Sequence, residues 1–121
     1  MTAYALAHLR ATRLHPEVLE YMERIQATLD PYSGRFRIHG GAVEVKEGTW
    51  PGDLVLIEFP SMAQARAWYD SAAYREILPL RARHIEGEVL LVEGVGPDHD
   101  SARMAAHLRA TSTAKPPVGM Q

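Results

Sequence analysis

LVLIEFPSMAQARAWYDSAAYREILPLR, residues 54–81, decides the fold. Leu54–Phe59 is a nearly all-apolar strand. Leu54, Leu56 and Glu58 share one face of it, and Val55, Ile57 and Phe59 share the other. Pro60 stops the strand, and Ser61 with Gln64 three residues on forms a capping box that opens a helix. Met62, Ala65, Trp68 and Tyr69 line one side of that helix. Asp70-Ser71 reads as a break and a fresh cap, followed by a shorter helical stretch through Tyr74, Ile77 and Leu78 that is expected to end at Pro79.

On the N-terminal side, residues 3–11 alternate loosely without Gly or Pro and predict a first strand. Tyr4, Leu6, His8 and Arg10 fall on one face, and Ala5, Ala7 and Leu9 on the other, where small alanines let a helix lie close. His15-Pro16 opens a helix, since proline suits the first turn, and Glu17 and Glu20 favour its positive end. Val18, Leu19, Met22, Ile25 and Leu29 make its apolar stripe, and Asp30-Pro31 ends it. Ser33-Gly34 marks a turn. A second strand starts at Arg35–His39 and is expected to pass Gly40-Gly41, read as a bulge requiring positive φ, into Ala42–Lys46. Glu47–Asp53 is a loop.

Glu86–Val95 is the last strand, apolar on both faces over Val89–Val92. The order strand, helix, strand, strand, helix, strand predicts an α+β, ferredoxin-like βαββαβ fold. Its four-stranded antiparallel sheet has both helices on one face. Two helices cover only one face, while the third and fourth strands are apolar on both. Burying a Leu or Val side chain is worth roughly 1.5–3 kcal/mol, so the second face is expected to meet a second copy of the chain. The domain is placed at residues 1–96. Residues 97–121 form an extension, with a short helix within 98–111 that either docks on a partner subunit or frays, then a disordered tail.

The chain has 121 residues, 46% hydrophobic and 23% charged, as expected of one globular domain. Its formal charge of −2, with scattered basic residues, argues against nucleic-acid binding. It has no cysteine, which excludes disulfides and thiol catalysis. No signal-peptide pattern is read, and no apolar run approaches the roughly 18–20 residues of a membrane span, so a cytoplasmic location is expected.

GRFRIHGGAVEVKEGTW and the stretch quoted first resemble the DUF1330 family, small bacterial proteins of uncharacterised function, over about residues 3–95. The pattern of glycine pair, EGxW, IEFPS, AxAWY, then S-x-x-Y and a following Arg carries the likeness. The resemblance implies a dimeric α+β barrel, two four-stranded sheets packed face to face, and brings no catalytic residues to transfer. Relatives by fold include cofactor-independent monooxygenases, haem-degrading enzymes and muconolactone isomerase-like proteins, but a shared fold does not license a shared function.

Six histidines, His8, His15, His39, His84, His99 and His107, lack the H-E-x-x-H spacing, so no metal and no cofactor is expected. A site built from His8, His39 and Glu58 would require their strands to be neighbours. Gly40-Gly41 does not lead into a helix, which removes the phosphate-loop reading, and there is no G-x-S-x-G elbow. Trp68, Tyr69 and Tyr74 are first of all core or interface aromatics. Their functional reading is a cavity for a small apolar or aromatic ligand, with Tyr69, Tyr74 and His39 orienting it and Arg81 or His84 supplying charge. Glu58 interrupts an apolar strand face and is read either as the partner of Arg81 or as a general base. Two functions follow: a small-molecule-binding dimer with cofactor-independent proton transfer or oxidation of a small aromatic or carbonyl compound, or a non-catalytic dimer in a structural or stress-related binding role.

Overall fold

A computed structural model of the chain describes residues 1–10 and 14–111. The elements are β1 (Ala3–Arg10), α1 (Pro16–Leu29), a 3-10 turn at Asp30–Tyr32, β2 (Arg35–His39), β3 (Gly52–Phe59), α2 (Met62–Asp70), α3 (Ala72–Ala82), β4 (Glu86–Glu93) and α4 (Ser101–Thr111). Ala11, expected to end the first strand, and the tail at 112–121 lie outside the described residues.

The strands form one antiparallel sheet in the order β2-β3-β1-β4. This is the ferredoxin-like α+β arrangement predicted from the element order. The sheet is open: its edges β2 and β4 do not pair with each other, so one chain makes no barrel. Strand alternation sends Ala3, Ala5, Val55, Ile57 and Phe59 toward the helices. There they are buried with Ile25, Leu29, Ala65, Trp68, Tyr74 and Ile77 in a single core. Gly34 admits this packing, because a methyl there would sit 2.7 Å from the Phe59 ring.

β3 starts two residues before the expected Leu54, at Gly52, and β4 ends at Glu93, short of the expected Val95; two further boundaries differ with more consequence. β2 stops at His39, and Ala42–Lys46 is not a strand. Gly40 takes a left-handed φ of 69°, and its N–H still donates to the Leu54 carbonyl at 3.0 Å, so the glycine turns the chain off the sheet. The bulge lies earlier, between Phe36 and Ile38, where Arg37 is the extra residue. The second helix pair also runs further than expected. α3 passes through Pro79 to Ala82. An interior proline costs about 3 kcal/mol, yet stopping there would take Arg81, seven residues after Tyr74, off the face that buries Tyr74 and Ile77.

The face away from the helices carries Tyr4, Leu6, His8 and Arg10 of β1, Leu54, Leu56 and Glu58 of β3, and Leu90 and Val92 of β4. Leu90 is 48% exposed and Val92 42%. No residue of α4 is buried. Among the described residues no helix is long and apolar enough to cross a membrane.

Candidate functional site

The alanines of β1 leave space that the helices do not fill. A cavity of about 260 Å³ lies between the sheet and α1 and α3, floored by Ala5, Ala7, Val55 and Ile57. Val18, Tyr21 and Ile25 of α1, with Trp68, Tyr74 and Ile85, complete its apolar wall. His39, Gly40 and Asp53, all exposed, stand at its rim. The volume falls just short of the roughly 300–1,000 Å³ usual for ligand pockets, which suits one substituted ring better than a larger body.

Three polar side chains converge on it. Ser71 accepts from the Tyr74 N–H at 3.2 Å and so starts α3 where Tyr74 must point inward. Arg81 follows two turns later on the same face. Tyr21, three residues after Val18 and four before Ile25, comes down from α1 to meet them. The Tyr21 and Tyr74 hydroxyls are 2.8 Å apart, and Arg81 Nη2 donates to Tyr74 Oη at 3.5 Å. The Arg81 guanidinium also lies 5.5 Å from the Tyr21 ring centre. Burial, reinforced by the neighbouring Tyr74, pushes the Tyr21 phenol well above its ordinary range, so it stays protonated. Burial works against the Arg81 charge, but the two phenol oxygens outweigh it and the guanidinium pKa lies above its usual value. Behind this group, Trp68 Nε1 donates to Thr28 Oγ1 at 3.0 Å and holds the indole against Tyr74, their ring centres 4.2 Å apart.

Of the five residues singled out from the sequence, His39, Tyr74 and Arg81 reach the cavity. His39 stacks on Phe36 with ring centres 4.3 Å apart. Tyr69 does not reach it. Its ring packs 5.5 Å from Tyr74 and carries the Arg75 guanidinium 4.7 Å from its centre, so it backs the site. Glu58 is on the opposite face of the sheet. The Glu58–Arg81 pair is not made: both Glu58 oxygens accept from Arg37 at 3.2 Å. Tyr21 is absent from the sequence-based site because an apolar stripe defined by aliphatic residues alone passes over it. Its spacing from Val18 and Ile25 was the signal.

The histidines do not assemble as the sequence left open. β1 and β2 are separated by β3, and His8 and His39 lie on opposite faces. His8 stacks on Trp50 at 4.0 Å instead. A different group forms at the start of α1, where candidate ligand atoms of His15, Glu17 and His84 lie within 4.8 Å of one another. Its bonding suits a proton better than a metal ion. His15 Nδ1 already accepts the Glu17 N–H at 3.0 Å as the helix cap, so a metal on its other nitrogen would require an imidazolate. His84 Nε2 lies 2.7 Å from Glu17 Oε1, Arg83 takes the second oxygen at 3.2 Å, and the two imidazoles stack at 3.7 Å.

Several solved structures share this fold. RPA0582, a protein of unknown function from Rhodopseudomonas palustris, aligns with a TM-score of 0.54 at 14% identity, over 79% of this chain and 84% of its own. A dimeric ferredoxin-like protein of unknown function from Jannaschia sp. CCS1 gives 0.56 at 15%, over 78% and 100%. SnoaB, a cofactor-independent oxygenase from Streptomyces nogalater, gives 0.50 at 12%, over 82% and 96%. Likeness at such identities is likeness of fold. No curated protein matches the chain. Residues 2–95, from the start of β1 to just past β4, match DUF1330, described as a domain of unknown function, and the chain belongs to that family.

Proposed function

We propose that this protein binds a small apolar or aromatic molecule in the cavity between its sheet and helices and works as a homodimer joined through the open sheet face. The observation that carries the binding reading is the convergence of Tyr21, Tyr74 and Arg81 on one apolar cavity of about 260 Å³. His39 joins them at the rim. Such a group stabilises negative charge on oxygen, the requirement of cofactor-independent proton transfer or oxidation of a small aromatic or carbonyl compound. SnoaB is an oxygenase of this fold, which makes that chemistry compatible with the scaffold without assigning it here.

A non-catalytic binding dimer is the second reading, and it too has an observation behind it. Tyr21 is held protonated, and the other groups suited to proton abstraction, His39 and Asp53, stand exposed at the rim.

The homodimer draws on the open face. Three strands of eight residues and one of five, about 4.8 Å apart and about 3.3 Å per residue, give it a projected area of roughly 460 Å², over half of the roughly 800 Å² of accessible surface that each partner contributes to a stable interface. The Jannaschia protein of the same fold is dimeric. Pairing two such faces would close the α+β barrel.

Screening single-ring aromatic compounds by thermal shift tests the binding reading, since a ligand of the folded state raises the apparent Tm. Ala7→Leu, which fills the cavity from its floor, is expected to abolish the shift produced by any compound found. A shift that survives this substitution unchanged would place the ligand elsewhere and end the cavity reading.

A further inference from the structure

The cavity contains more hydrogen-bond donors than its protein acceptors can use. Arg81 is 8% exposed, and among the described residues no carboxylate lies within ion-pair distance of it. Glu58 is committed to Arg37, and Glu17 to His84 and Arg83. Asp53, the carboxylate on the cavity wall, is exposed at the rim and forms no ion pair with Arg81. Guanidinium offers five N–H donors, and among the described residues its side-chain partners are the two phenols alone: the long contact to Tyr74 Oη and the neighbouring Tyr21. The phenols repeat the imbalance. They hold two hydrogens and share one hydrogen bond, so one hydroxyl hydrogen lacks a protein acceptor among the described residues whichever way that bond runs.

A buried cation without a counter-charge is costly, and here it adjoins open, otherwise apolar space. We infer that the ligand of this cavity, on the binding reading proposed above, is a small aromatic carboxylate whose carboxyl group lies on Arg81 and accepts the spare phenol hydrogen of the Tyr21–Tyr74 pair. Its ring lies over Ala5 and Ala7. The carboxylate supplies the missing acceptors and the missing negative charge together, and the planar fork of arginine matches its two oxygens. Its charge must face inward, away from Asp53.

The test uses matched probes: benzoate and 2-naphthoate against benzamide and 2-naphthamide, which keep the shape and lose the charge. Calorimetric titration is expected to show the acids binding at least about tenfold more tightly than the amides, as hydrogen bonds to charged groups imply. Arg81→Met is expected to erase that preference. Tyr21→Phe, which retains Arg81 and most of the packing, is expected to weaken acids several-fold and amides less, narrowing the preference, and it serves should Arg81→Met fail to fold. Amides that bind as well as acids to the natural protein overturn the carboxylate inference and leave the cavity reading standing. Binding of neither class, with Ala7→Leu also without effect on any compound of the wider screen, removes both.

Discussion

The two faces of the sheet are made by the same strands from similar residues, yet they do different work. On the helix side, Phe59, Ile57 and Val55 of β3 are buried against Trp68, Tyr74 and Ile77, and the polar groups there are few and enclosed. On the open side, Leu54 and Leu56 from that strand stand beside Leu6, Leu90 and Val92. Its polar groups are Tyr4 and His8 on the central strand and the ion pairs Arg37 with Glu58 and Arg10 with Glu88. The helix-side face is closed by α1, α2 and α3 around a cavity, whereas no described helix covers the other face, which meets Trp50 of the loop before β3 only at His8. Residue type does not separate the two. What separates them is where α1, α2 and α3 lie.

The sharpest way to break the contrast is to damage each face by itself. Trp68→Ala removes the largest enclosed side chain and its hydrogen bond to Thr28 Oγ1, so a loss of about 3–5 kcal/mol is expected by urea unfolding. A loss below about 1 kcal/mol would mean the helix side is not the organising core. Leu56→Lys, at the centre of the open face, is expected to leave the helix-side core intact and to raise the dimer dissociation constant at least about a hundredfold, by placing a charge in a buried interface. Sedimentation of the natural protein as a monomer at micromolar concentration, or a dimer indifferent to this lysine, removes the open face as the interface.

The smallest effect belongs to the edge of the helix layer. The hydrogen bond from His84, opposed by some desolvation and assisted by Arg83, holds the Glu17 carboxyl below its ordinary value of 4.5. Its folded pKa is depressed, so its stabilisation is present above the unfolded value and is lost as pH falls through the folded one. Melting temperature is expected to fall on acidification below about pH 4.5, and Glu17→Gln to flatten that limb slightly. An unchanged acid limb in the variant would assign it to other carboxylates.

Much of this was legible in the sequence. Period-two alternation in Leu54–Phe59 and three-and-four spacing in the helices are direct consequences of backbone geometry, so element order and the two-faced strands could be read without coordinates. What escaped was set by tertiary context. Pro79 reads as a helix end because its local penalty is visible, while the burial of Tyr74, Ile77 and Arg81 on one face is not. Gly40-Gly41 reads as a bulge because positive φ suits both a bulge and a chain exit. At the site, Tyr74 and Arg81 were found by chemistry and spacing, and Tyr21 was overlooked though its spacing was equally clear. Glu58 was drawn to Arg81 by charge alone. Its alternation with Leu54 and Leu56 already placed it on the far side of the sheet, the side on which Arg37 meets it.

The alanines at positions 5 and 7 have a consequence for change over time. They sit on a central strand whose backbone is fixed by neighbours on both sides, and they carry no polar duty. Exchanging either for a bulkier or still smaller residue resizes the chamber while the arginine and the phenols keep their posts on the helices. For the ligand proposed above, girth and headgroup would thereby be governed by separate stretches of chain, each free to drift without the other.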